Sequence, residues 1–320
     1  MRFVFAACLV ALVVNAAGCA SSAPPMRATL PPGGIDVPIE IWAEVPTVHV
    51  MVNGRGPYRF VVDTGATPPV GISTSLAREL GLPTSGGRTV LRAGNDKFVR
   101  LAQTRVKSLA FGDALFEDVP AVVGDVDVPG YAGLLGMRLF EGSVLTLQFP
   151  RQRLLIRPGR LNPADPDTFS ARFVGDRPTV PITPPTHGRP RTLHALIDTG
   201  SNGGLALPAS LRDDLLVDPT FSATEKATTL GGEMSMEVLL LRGTLLLNRS
   251  KVDSPLVGLG PGGAVVGTSL LRGFDLSVDL ASRRVRLTLA GDTPHAPDLA
   301  ERNREPEVRW HGVTGGAVRP

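Results

Sequence analysis

Cysteine is almost absent. Cys8 and Cys19 are the two in 320 residues, and Cys8 sits inside an apolar N-terminal run. If that run is a cleaved signal, the mature chain has one cysteine and no internal disulfide, which excludes a disulfide scaffold. Aromatic residues make up only 5% of the chain, and the net charge is only +3. Lys and Arg are scattered, so no nucleic-acid footprint is expected. Beyond the N-terminus no apolar run is long enough to span a bilayer. Long helical periodicities are lacking as well. The 36 Gly and 29 Pro favour turns and short strands instead. His49, His187, His194, His295 and His311 share no metal-ligand spacing. Gly-rich 258–267 lacks the Lys-Ser/Thr of a phosphate loop. No Ser-His-Asp set can be inferred. Neither metal nor cofactor is expected.

The N-terminus carries targeting signals. Arg2 precedes an apolar stretch over 3–14, the length of a signal h-region. Ala16-Ala17-Gly18-Cys19 then resembles a bacterial lipobox, with Ala16 where Leu is usual. Two outcomes stay open: lipidation of Cys19, or simple secretion after cleavage behind Ala20. Lipidation would account for a lone cysteine in an exported chain. Ala20 after Cys19 lacks the Asp that retains such lipoproteins at the inner membrane. The expected location is therefore the periplasmic side of the envelope, anchored by lipid to the outer membrane.

The body repeats itself. An apolar run ends in Asp63-Thr64-Gly65-Ala66, and a second ends in Asp198-Thr199-Gly200-Ser201, 135 residues on. Each is preceded by a hairpin signal, at Asn53-Gly54 and near Gly188, and followed by Ser-Leu opening a short helical pattern. Later, Leu134-Leu135-Gly136 matches Val265-Val266-Gly267. Gly136 and Gly267, Leu139 and Leu270, Gly142 and Gly273, and Arg153 and Arg284 are all 131 residues apart. Polar turns around Gly94-Asn95 and Gly231-Gly232 lie between strand-like runs and suit projecting hairpins. A repeat of this size is read before any single motif.

An aspartate ending a buried strand is costly unless its charge is compensated or used. Two such aspartates in one duplicated fold can meet face to face. Like charges that close cannot both ionise easily, so one proton is shared. The ionised partner can then take a proton from water while the protonated one polarises a carbonyl.

These motifs resemble the retropepsin-like aspartic peptidases, in a single-chain form with two lobes. The resemblance implies an all-β fold of two β-barrel lobes related by a pseudo-twofold axis, with short helices. It implies Asp63 and Asp198 as the catalytic dyad, Thr64 and Thr199 as braces between the loops, and the two Gly-ended apolar strands behind them. Gly65, Ala66, Gly200 and Ser201 complete the catalytic loops. The turns at Gly94, Asn95, Gly231 and Gly232 become flaps over a peptide or protein substrate held extended. The hydroxyl of Ser201, absent at Ala66, is expected to favour the charge on Asp198.

The expected organisation is a signal over 1–18, a tether over 19–35, lobes over 36–158 and 176–290 joined by a linker over 159–175, and a flexible tail over 291–320. The expected function is an exported, monomeric endopeptidase. The alternatives are a catalytically silent peptide-binding lipoprotein on the same scaffold and a structural envelope lipoprotein without a ligand.

Overall fold

The computed structural model describes residues 25–93, 97–124, 130–229 and 232–290, with the backbone of two short strands, Phe5–Ala7 and Leu9–Val10. Cys19 and the segment 291–320 lie outside the described residues. The described chain is mostly β-strand with a few short helical turns, in a two-lobed acid-protease-like arrangement.

The first lobe grows from a hairpin. Strands Val45–Val52 and Arg55–Asp63 pair antiparallel across Asn53-Gly54. Both turn residues have positive φ, 52° and 74°, the conformation that favours Asn-Gly in tight hairpins. Alternation then sorts the second strand. Phe60 and Val62 are fully buried in the core, while Arg59, Val61 and Asp63 share the opposite face. Strand Gly133–Gly136 slots in parallel beside it, placing Gly136 opposite Asp63, and pairs antiparallel with Val70–Ile72 on its other side. Gly133 fits because a β-carbon there would collide with the Gly71 carbonyl and the Phe60 ring.

The second lobe repeats these steps. Strands Arg177–Thr183 and Leu193–Asp198 form the hairpin. Strand Val265–Gly267 runs parallel to the latter and sets Gly267 opposite Asp198. The helical turns differ in kind. Ser73 caps helix Thr74–Glu79 by accepting the Leu76 N–H at 3.2 Å. The matching Ala209–Asp214 turn starts at Pro208, which offers no capping oxygen, and stays a 3-10 turn. Each lobe also has a long hairpin, Ser85–Ala93 with Phe98–Phe111 and Val217–Thr229 with Gly232–Leu241.

A six-stranded sheet built from both halves joins the lobes. Ser143–Gln148 pairs antiparallel with Phe274–Asp279, setting Thr146 opposite Ser277, whose hydroxyls meet at 2.9 Å in a buried environment. Parts of the stretches expected to be tether and linker join sheets. Arg27–Thr29, within the tether, adds to Ala114–Val123, where Arg27 pairs with Asp118 at 3.4 Å. Thr168–Ser170, within the linker, adds to the interlobe sheet. Both are short edge strands held by a neighbour rather than by an apolar pattern of their own.

Candidate active site

Asp63 and Asp198 end their strands at the junction of the lobes, with exposures of 7% and 2%. Glycine lets them meet. A β-carbon on Gly65 would lie 2.5 Å from the Asp198 carboxyl carbon, and one on Gly200 would lie 2.5 Å from that of Asp63. Neither glycine has positive φ. What excludes a side chain is the opposing carboxyl group itself.

Thr64 and Thr199 hold the loops together. The Thr64 hydroxyl donates to the Ile197 carbonyl at 2.7 Å and accepts the Thr199 N–H at 3.1 Å. The Thr199 hydroxyl donates to the Val62 carbonyl at 2.6 Å and accepts the Thr64 N–H at 3.0 Å. Both threonines are fully buried. Each hydroxyl thus satisfies two main-chain groups of the opposite lobe that would otherwise be orphaned.

The carboxyl groups are also held by their own loops. Asp63 Oδ1 accepts the Gly65 N–H at 2.8 Å. Asp198 Oδ1 accepts the Gly200 N–H at 2.9 Å and the Ser201 N–H at 3.1 Å. Main-chain donors therefore act on both sides, and residue 201 acts through its backbone N–H. Burial raises the Asp63 pKa well above the usual carboxylate range. The Asp198 charge and a hydrogen bond between the carboxyls push it the same way, against the pull of the Gly65 and Ala66 N–H groups. A proton therefore rests on Asp63 at a pH where an ordinary aspartate has lost it. Such a pair can abstract a proton at one oxygen and donate one at another.

The structure thus brings together Asp63, Asp198, Thr64, Thr199, Gly65, Gly200, Ala66 and Ser201. Gly232 lies exposed at the end of its hairpin with φ 101°, its carbonyl accepting the Thr229 hydroxyl at 2.9 Å. Gly94, Asn95 and Gly231 lie outside the described residues. Sequence reasoning missed Thr268, whose buried hydroxyl donates to the Thr199 carbonyl at 2.9 Å and stiffens the second loop alone. Its signal was its place directly after Gly267, but a search for paired positions passes over it because the first lobe has Met137 there.

A protein-family model described as aspartyl protease matches residues 48–139, which hold Asp63-Thr64-Gly65 and the strand ending at Gly136. The match supports a general aspartic protease function. No curated protein matches the chain.

Thr199→Val should orphan the Thr64 N–H and the Val62 carbonyl. At about 1–3 kcal/mol for each buried group left unpaired, the loss in a denaturant titration should be large, and Thr199→Ser should recover most of it. A valine variant as stable as the wild type would show that these bonds do not brace the lobes.

The raised Asp63 pKa also fixes a sign. Relative to the unfolded chain, its contribution is most favourable below the ordinary carboxylate pKa and is lost as pH rises through the folded value. Asp63→Asn removes that penalty. Its melting temperature should match wild type near pH 3 and exceed it increasingly as pH rises above about 4. A difference independent of pH would contradict the shift.

Proposed function

We propose that the protein is an aspartic endopeptidase, with Asp63 and Asp198 as its catalytic dyad. The observation that carries this is the close contact of two buried carboxyl groups, one from each lobe, with the Asp63 pKa pushed up. The family match over residues 48–139 supports it for the first lobe.

The chemistry needs one proton on the pair. Asp198, charged, takes a proton from a water molecule as that water attacks the scissile carbonyl carbon. Asp63, protonated, donates its proton to the carbonyl oxygen, giving a neutral tetrahedral diol. The proton gained by Asp198 then passes to the departing nitrogen, and Asp63 recovers its own as the C–O double bond re-forms. The C–N bond breaks, and the pair returns to its starting charge with no covalent intermediate. Thr64 and Thr199 position the loops without touching the reacting atoms. The long hairpins of both lobes act as flaps over an extended peptide, which their strand edges can bind.

The chain is also proposed to be exported and anchored through Cys19, on the strength of the apolar run over 3–14 and the motif that follows. The tether then runs only to about Met26, since Arg27 already pairs with the first lobe.

Asp63→Asn and Asp198→Asn should each reduce hydrolysis of an unfolded protein or a peptide library to background, and the double variant should be no worse than either single one. Near-wild-type turnover in either single variant would refute the two-carboxylate mechanism. Cys19→Ser should move the protein from the membrane fraction to the soluble periplasm, and mass spectrometry of the wild type should find acyl chains on the mature N-terminus. An unlipidated N-terminus at Ser21 would establish simple secretion instead.

A further inference from the structure

The two lobes match closely around the dyad, so a mismatch at equivalent positions stands out. In the first lobe the Thr47 hydroxyl donates to the Glu40 carbonyl at 3.0 Å, and Thr47 pairs with Val61. In the second the Thr179 hydroxyl donates to the Arg172 carbonyl at 2.8 Å, and Thr179 pairs with Leu196. The shared pattern makes Glu40 equivalent to Arg172. Two residues earlier along each dyad strand, it makes Arg59 equivalent to His194.

These positions face the chemistry. Arg59, Val61 and Asp63 lie on one face of their strand, and His194, Leu196 and Asp198 on one face of theirs. The intervening Phe60, Val62, Ala195 and Ile197 are fully buried in the two cores. Four residues of strand put Arg59 and His194 each about 13 Å from its aspartate, the length of about four residues of an extended peptide.

The two ends differ in charge. At the first, Arg59 is neutralised by Glu40 at 3.1 Å, and its guanidinium stacks 4.2 Å from the Trp42 ring centroid. At the second, Arg172 is exposed and no acidic side chain among the described residues pairs with it. Asp176, the acid nearest in sequence, is engaged by Arg138 at 3.2 Å. His194 adds no negative charge. Burial, and then the Arg172 charge, lower its pKa.

We propose that Arg172, with His194 beside it, forms a subsite for an acidic side chain of the substrate about four residues from the scissile bond, and that this fixes the direction in which a peptide lies in the cleft. Arg172 supplies the charge and the exposed His194 ring a hydrogen bond. The opposite end, balanced and aromatic, suits an uncharged residue. The inference rests on the peptidase reading, and it is tested so that the two can fail separately.

The test uses peptides that differ only by Glu or Gln at single positions three to five residues from the cleaved bond, on either side, with the full-length protein. Cleavage is read as kcat/KM and binding as fluorescence anisotropy. Glu should be favoured on one side only, by about two- to fivefold, the scale of an exposed charge pair, and less so at raised ionic strength. Arg172→Glu should abolish or invert the Glu/Gln ratio, and Arg172→Gln should bring it close to one. Glu40→Arg should create the same preference on the other side of the bond. A ratio near one at every position, or one that Arg172→Glu leaves unchanged, overturns the subsite. If no peptide is cleaved but the Glu/Gln difference persists in binding and follows Arg172, the subsite stands and the peptidase reading falls.

Discussion

The whole arrangement depends on four hydrogen bonds between Thr64 and Thr199 and the opposite lobe. They cross the junction in pairs, each hydroxyl giving one and receiving one. Because they fix backbone to backbone, they fix the carboxyl groups one residue earlier in each loop. Gly65 and Gly200 then allow a separation that any side chain would prevent. Two like charges at that distance, out of water, cannot both persist. Proton sharing is therefore a consequence of the packing, and the same packing makes the pair costly to fold.

That cost is met elsewhere. The interlobe sheet, with Thr146 and Ser277 at its centre and Leu147 and Leu276 packed beneath, ties the halves together away from the dyad. The Gly-ended strands brace each loop from behind through paired backbone. Ion pairs such as Arg272–Glu44 at 2.7 Å and Arg138–Asp176 at 3.2 Å also cross between the lobes, although partly exposed pairs of this kind contribute little each. A buried and partly charged site is stable because paired β-structure surrounds it on both sides.

Duplication within one chain leaves each copy free to change by itself. Thr268 braces only the second loop, and Ser73 caps only the first helical turn. Glu40 and Arg172 occupy matching places with opposite charge. Two identical subunits could not do this, because symmetry would impose every change twice. Some of these differences lie close to the paired carboxyl groups, as at Thr268, and others away from them, as at Ser73, Glu40 and Arg172. The paired aspartates, threonines and glycines stay matched, because each makes its contacts with the opposite half.

How much the sequence determines follows from how local each interaction is. The paired Asp-Thr-Gly motifs, the Gly-ended apolar strands and the Asn53-Gly54 turn are set by short-range sterics, strand alternation and repetition, so they can be read directly and carry the all-β fold with them. The strands at Arg27–Thr29 and Thr168–Ser170 could not be read, because they exist only through a neighbour's free edge and carry no pattern of their own. Thr268 was hidden because the first lobe has Met137 in its place, so repetition does not mark it. The sequence alone determined that Asp63 and Asp198 would end buried strands, but not that Asp279 would be fully buried beneath the linker, accepting the Leu161 N–H at 3.0 Å. Only the tertiary structure decided how closely they approach, that burial and the Asp198 charge raise the Asp63 pKa, and that Arg172 has no acidic partner among the described residues. Those outcomes depend on distances between residues more than a hundred positions apart, and on charges that cancel or persist according to what stands beside them.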